Sequence, residues 1–459
     1  MTILSDVAIV AVCCLLSGAA LVGGALPVAA LLGLSSAVVG TYVGIRHPLW
    51  LYWLLAGALA ALPFGYFPGV HAPLTFGLGI AVLLASLLHR NDNNTLAPLE
   101  IGIAVLVVAS AVSVAATFES PTDIAEFGKW TVSTVLVIAL LRLSPADLSR
   151  FGRIYAGASA AAALFAITIV AADPEGRLIS YLSVVGYGRE SNSTRFVYSD
   201  SGNAVRLAGT YIDPNTAGIG LLVALAVTLV VFSGWRRVGL ATLFVVCVAL
   251  TLSRAALFSI LGGLVIVVLF HTLSSKQRRT IFVTLGVAVL AAAATPQVRR
   301  RVFSSFGSGD AGSSARADAL DNFTSVMHGH WLFGLGWGRP EFKDPSKSFE
   351  VNYVANAPLL TVYRGGIITG LIFVAILLIA VTVAYRTLRG GDTPQAALAG
   401  IFIGFTVVAL QLDFPVVTIP SVTMMFSVFL VFLAKNDPHQ QQSAVQLGYR
   451  DDALVQGVR

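Results

Sequence analysis

Long apolar runs broken by short polar connections dominate this chain. A helix that crosses a bilayer needs about 20 mostly apolar residues, and the sequence offers about 14 such stretches. Their centres fall near Ser17, Leu34, Leu55, Val82, Val107, Val135, Leu164, Ala224, Val245, Leu264, Val287, Phe373, Phe405 and Phe429. The first two are closely spaced and the third contains proline, so about 12 spans plus re-entrant segments also fits the pattern. The first run, Val7–Gly24, has no basic region ahead of it, and the small residues after it are themselves hydrophobic. It reads as a retained span rather than a cleaved signal peptide.

Basic residues in short connections orient the spans. One alternate set holds Arg46; Arg90; Arg142, Arg150 and Arg153; Arg236 and Arg237; Lys276, Arg278 and Arg279; Arg386 and Arg389. The other set is neutral or acidic (PFGYFPGVH, FESPTD, LDFPVV) apart from one arginine in TLSRA. Both termini are therefore expected on the cytoplasmic side, with the Gln-rich tail after Lys435 disordered. Two long segments, 172–215 and 296–364, fall on the external side and hold Arg177, Arg189, Arg195, Arg206, the triplet 299–301, Arg316, Arg339 and Arg364. Loops beyond ~15 residues are usually functional or disordered. The expected divisions are a first bundle (1–171), an external loop (172–215), central spans (216–295), a large external loop with short helices (296–364), closing spans (365–435) and a tail (436–459).

Composition sharpens this picture. The chain is 56% hydrophobic and 11% charged, against about 25% charged in soluble domains, and its mean hydropathy is +0.82. It is an all-α polytopic membrane protein. The net charge of +6 is spread over loops without an aromatic-lined stripe, which argues against nucleic acid. Cys13, Cys14 and Cys247 all sit in apolar runs and read as small core residues. The halves share no paired Gly/Pro-broken spans, which counts against an inverted-repeat transporter.

Three clusters carry candidate chemistry. In RLAGTYIDPNTAGIGLLVAL, Arg206 precedes an Asp213-Pro214 turn, Asn215 is a candidate N-cap, and the span begins at Thr216. A helix N-terminus near an arginine suits an anion; a capped helix beside a charged loop residue is the plainer reading. In TLSRAALFSI, Arg254 stands where two spans meet. It either snorkels to the surface or holds a phosphate at headgroup level. Lys129 lies about one turn inside its helix on the same side, and snorkelling fits it better. In SSARADALDNFTSVMHGHWLFGLGWG, Arg316, Asp318, Asp321, His328 and His330 precede a Gly-rich turn. No further histidine or cysteine stands near enough to make the His-x-His pair a metal site.

Taken in order, these segments resemble the O-antigen ligase and O-antigen polymerase family of bacteria. RLAGTYIDPNTAG is similar to its Arg…Gly…Pro-Asn signature and LTLSRAALFSILGGL to its Ser-Arg-small helix start. The third cluster resembles its Arg-containing loop helix and His-hydrophobic-Gly-x-Gly turn, and ANAPLLTVYRGGIITGLIF the segment returning to the membrane. The resemblance covers 206–373 and rests on the order of four motifs, none specific alone. It implies a GT-C-like membrane glycosyltransferase without metal or other cofactor, taking a polyprenyl-diphosphate-linked saccharide in the outer leaflet. The acceptor is another lipid-linked glycan in a polymerase or a terminal acceptor in a ligase; membrane lipids, a flippase and a chain-length regulator are the implied partners. Arg206, Arg254 and Arg316 match the arginines that would hold the diphosphate, with Asn215 and Lys129 beside them.

One departure matters. Ligases of the family commonly carry His-Asn at the start of the returning segment, where this chain has Ala355 and Asn356, followed by Arg364. Alanine accepts no proton, so the base for the acceptor hydroxyl is sought in His330, His328, Asp318, Asp321 or Asp213. The departure favours polymerase slightly over ligase. A transporter or flippase, the alternative from another class, would need ionisable residues inside the spans, where this chain has few.

Overall fold

The computed structural model describes residues 39–68, 72–89, 97–173, 177–188, 206–211, 213–279, 320–339, 356–409 and 419–438, together with positions 282 and 286. Over these residues the protein is helical, with one isolated antiparallel bridge between Tyr66 and Pro73. The apolar helices are α1 (Pro48–Ala61), α2 (Leu74–Leu88), α3 (Pro98–Thr117), α4 (Pro121–Leu141), α5 (Pro145–Ala172), α6 (Pro214–Val231), α7 (Gly234–Thr251), α8 (Arg254–Phe270), α9 (Ala357–Gly390), α10 (Thr393–Ala409) and α11 (Pro420–Lys435). Six of them (α3–α7 and α9) are long and apolar enough to cross a membrane; α1, α2, α8, α10 and α11 are shorter and equally apolar. Each expected centre from Leu55 to Leu264 and from Phe373 to Phe429 falls in one of these helices. Those near Ser17, Leu34 and Val287 lie outside the described residues.

Proline sets many of the starts. It occupies one of the first two positions of α1, α3, α4, α5, α6, α9 and α11, where its missing N–H has no helical partner to lose and its φ is already helical. The core is built round α6 and α11. α6 is buried almost continuously from Ala217 to Thr228, and α11 from Pro420 to Ala434. α7 lies at the periphery, with 22% of its most apolar window buried. α8 and α10 cross at glycines: a Cβ on Gly263 would stand 2.7 Å from the Cα of Ile401, and one on Gly404 2.5 Å from the carbonyl of Ser259. Without a hydrophobic drive between helices in lipid, such close backbone approach supplies the contact.

Bonds between helix ends define two ends of the bundle. At one, Tyr66 N–H donates to Val185 O and Leu207 N–H to Leu250 O, the Tyr211 hydroxyl donates to Ala60 O, and Gly338 N–H donates to Asp123. At the other, the ring Nδ1 of His271 stands 2.8 Å from Leu388 O and Gln395 donates to Asn436. Arg142, Arg236, Arg237, Lys276, Arg389 and Lys435 belong to this second end. α9 has 34 residues. Drawn straight it would measure about 51 Å, well beyond the ~30 Å hydrocarbon core, but it is broken at Gly366, where φ is +82°.

Candidate functional site

The first group of candidates assembles at the end of the bundle where α6 and α8 start and α7 finishes. Asp213, in extended conformation, is the N-cap of α6, and its carboxylate accepts from Thr216 N–H at 2.8 Å and from the Thr216 hydroxyl at 3.1 Å. This corrects the sequence reading, in which Asn215 caps a helix beginning at Thr216. Pro214 takes the first helical position, so the cap falls one residue ahead of it and Asn215 is already inside the first turn. Asn215 is thereby released for another partner. Arg206, 4% exposed, donates from Nη2 to Asn215 Oδ1 at 2.9 Å and from Nε to the Thr251 carbonyl at 2.8 Å.

Thr251 is the last residue of α7. Leu252 ends that helix in the left-handed region, with φ of +53°, and Arg254 opens α8 two residues later. The Arg206 guanidinium therefore sits on the C-terminal carbonyls of α7, where the helix carries partial negative charge. Its plane is fixed between that carbonyl and the first turn of α6. α6 and α8 begin side by side, because a Cβ on Gly218 would stand 2.7 Å from Ser253 Cβ and 3.1 Å from Ala256 Cβ. Two helix N-termini and two arginines thus share one corner of the bundle, an arrangement suited to an anion. Burial pushes the Asp213 carboxyl above its ordinary range, and its bonds to Thr216 and the nearby Arg206 only partly offset this.

The second group lies at the same end, on α3, α4 and the break in α9. The Gly-rich turn 334–338 docks there like an added strand. Leu335 N–H donates to Tyr363 O at 2.7 Å, Gly336 N–H to Arg364 O at 3.2 Å, and Ile367 N–H to Trp331 O at 2.8 Å. From α3, the Ser113 hydroxyl donates to Phe333 O at 2.6 Å. From α4, Asp123 Oδ1 accepts Gly338 N–H at 2.9 Å while Oδ2 accepts the N–H groups of Glu119 and Ser120. The glycines are required: Gly334, Gly336 and Gly366 have φ of +75°, +98° and +82°, and a Cβ on Gly366 would collide with the Leu332 carbonyl. Trp337 is buried, its ring centroid 4.3 Å from that of Trp130 and 5.1 Å from the Arg364 guanidinium carbon.

The remaining candidates fall as follows. Lys129 pairs with Glu126 at 2.6 Å on α4, a helix that packs on α11, α2 and α3. Arg364, which closes the large external loop with its short helices in the sequence reading, lies in the short helical segment of α9 ahead of the break at Gly366 and is fully buried. Asn356 caps α9 by accepting Leu359 N–H at 3.1 Å. His328, His330 and Asp321 are exposed. The chain between the histidines is turned, not extended: His330 N–H donates to Met327 O and Gly329 has φ of +81°. Arg316, Asp318 and Ala355 lie outside the described residues. Among the described residues no group of three His, Cys, Asp or Glu side chains is arranged to hold a metal ion.

Sequence reasoning missed Asp123, Ser113, Thr251 and Trp337. Asp123 had a signal, since Ser-Pro-x-Asp is a cap followed by an N3 acid. Thr251 contributes a carbonyl, which no residue pattern announces.

Fold and site together define a multi-pass, all-helical membrane protein with a buried arginine held between helix ends. Residues 238–359 match the family model described as O-antigen ligase, and this match supports the O-antigen ligase and polymerase family for the chain. No curated protein matches the chain. The matched span contains α7 from residue 238 on, Arg254, the docked turn and the cap of α9, whereas Arg206 lies before it and joins it through Thr251. The match covers less than half of the chain, and over that span the similarity is to a family of glycosyltransferase-like membrane enzymes.

Proposed function

We propose that this chain polymerises isoprenoid-diphosphate-linked glycan at the outer face of the cytoplasmic membrane, in the synthesis of cell-surface polysaccharide. The observation that carries the reading is the Arg206 guanidinium held between Thr251 O and Asn215 Oδ1, beside the Arg254 start of α8. In this reading Arg206, Arg254 and Arg316 bind the donor diphosphate. An acceptor hydroxyl attacks the anomeric carbon, the bond from that carbon to the diphosphate oxygen breaks, and the diphosphate leaves with the electron pair. Charge grows on the leaving group in the transition state, so guanidinium and helix-end dipoles oriented beforehand lower the barrier without reorganising. His330 takes the acceptor proton, and no metal ion takes part.

The end bearing Arg206 faces outward in this proposal and the end rich in arginine and lysine faces the cytoplasm, as charge bias favours. Reporter fusions at Arg237 and Arg279 are expected to read cytoplasmic, and fusions near Arg189 and Asp310 external; the opposite result removes the mechanism. Reconstituted protein given only its lipid-linked repeat unit should yield a ladder lengthening by whole units, with or without a chelator. A ligase would give no ladder and would move glycan only when a distinct acceptor is added. Loss of the ladder in Arg206→Ala and Arg254→Ala, with membrane insertion intact, is the result that ties the chemistry to this site.

A further inference from the structure

Just ahead of the docked turn stand three consecutive large apolar residues that the mechanism does not use. Trp331, Leu332 and Phe333 are 41%, 53% and 39% exposed, although protein groups hold their backbone. The carbonyl of Trp331 is bonded by Ile367 N–H, that of Phe333 by Ser113, and that of Leu332 lies against the Cα of Gly366. His330 O, just before them, accepts Gly334 N–H. A non-helical segment can enter the apolar layer only when its backbone polar groups are satisfied by protein, and here three of these carbonyls are.

The surroundings say what such a segment would meet. Next to Ile367, α9 exposes Ile367, Ile368 and Leu371; next to Ser113, α3 exposes Val112, Val108 and Val105, running from the loop towards the middle of the bundle. The triplet is thus continuous with faces of two apolar helices that cross the membrane by length and composition. Phe323 and Met327, just before them in the chain, are buried, and the Phe323 ring stands edge-on to Trp331 with centroids 6.0 Å apart. Polar groups resume at His330 immediately before the triplet and, beyond the Gly-rich turn, at the Arg339–Glu119 ion pair.

We propose that Trp331–Leu332–Phe333 is inserted into the bilayer at headgroup level and packs against lipid acyl chains, so that this part of the large loop is a membrane element rather than a soluble cap. An aromatic pair beside an aliphatic residue suits that depth, where aromatic rings are enriched. Insertion fixes His330, the residue immediately before the triplet, at the membrane surface. The inference concerns the membrane, not the reaction, and stands whichever transfer the protein performs.

The test uses the full chain in vesicles of phosphatidylethanolamine and phosphatidylglycerol, with Cys13, Cys14 and Cys247 replaced by serine and a spin label at Leu332→Cys or His328→Cys. At 332, collisions with dissolved oxygen should exceed those with a water-soluble nickel chelate, and at 328 the order should reverse. Equal chelate access at both positions overturns the proposal, as does exclusion of both reagents from 332, which would mean that protein covers it. Trp331→Phe gives a second measurement with a conservative change. In brominated phospholipid vesicles the quenched fraction of tryptophan fluorescence should fall in this variant, and an unchanged fraction also overturns insertion.

Discussion

The Nε of Arg206 lies 2.8 Å from the carbonyl of Thr251. That single contact joins two motifs far apart in the chain, because Thr251 ends α7 two residues before Ser253 and Arg254 begin the next helix. The carbonyl is available because Leu252 turns into the left-handed region instead of continuing the helix. Arg206 takes the place of a cap, satisfying a helix end while being held rigid itself.

Asn215 is the other anchor of that guanidinium. A hydrogen bond to a charged group contributes about 1.5–3 kcal/mol, and a factor of ten in rate corresponds to about 1.4 kcal/mol. Asn215→Ala should therefore slow turnover by about 10- to 100-fold with the protein still folded in detergent. Arg206→Lys should be impaired more, because an ammonium cannot span both partners. Wild-type turnover in Asn215→Ala would show that the anchor is dispensable.

Asp213 gives a pH prediction. Its carboxyl is raised from the ordinary value of 3.8 by burial, so the unfolded chain ionises first as pH rises. Stability from this group is full below that value and is lost as pH climbs towards the raised folded one. Asp213→Asn keeps an acceptor for the cap and has no such proton. As pH rises above about 4, thermal unfolding should show the wild type losing stability relative to the variant, whereas parallel profiles would refute the sign. A normal product ladder from Asp213→Asn would also remove this residue from the candidate bases.

Gly366 and Gly239 form a matched pair. A side chain at Gly366 meets both a positive φ and the Leu332 carbonyl, whereas at Gly239 nothing lies within 4 Å of a Cβ. Strained backbone of this kind costs on the order of 1–3 kcal/mol, so Gly366→Ala should lower the melting temperature while Gly239→Ala leaves it unchanged or raises it. Equal melting temperatures would mean that the break relaxes freely.

Asp123 ties the turn to α4. Asp123→Ala removes the acceptor of Gly338 N–H, and hydrogen exchange at that amide should quicken markedly while amides in the middle of α6 stay protected. Asp123→Asn, which keeps one oxygen, should fall between. Unchanged exchange at Gly338 in the alanine variant would show that the turn is held by α3 and α9 alone.

The two exposed histidines can be separated by product. His330→Ala should reduce ladder formation by about 10²- to 10⁴-fold, the usual worth of general-base assistance, and His328→Ala should leave it near normal. If both variants polymerise normally, neither histidine is the base.

The helices were legible in the sequence because apolar run length and proline starts are local signals. From Leu55 onward, every expected centre in the described residues falls in a helix. The pairing of Arg206 with Thr251 was not legible, since a backbone carbonyl at a helix end has no residue code. The burial of Arg364 was not legible for a related reason: Tyr-Arg-Gly-Gly looks like loop, yet a short helix precedes the break at Gly366 and the backbone of 331–336 pairs with it there. The GLGWG stretch suggested only a tight turn. Its meaning depended on Asp123 and the α9 break, each distant in sequence.

The break at Gly366 has a mechanical consequence. The amide of Ile367 finds its acceptor at Trp331 O, not within its own helix, so the turn completes the wall of a rod that would otherwise be notched. Pulling the turn away would open a gap in the hydrogen bonding of α9 close to lipid, where water is scarce and exposed amides are heavily penalised. The Trp331 carbonyl is thus the hydrogen-bonding partner of α9 at its break, and removing it would leave the Ile367 amide without the acceptor it has in the fold.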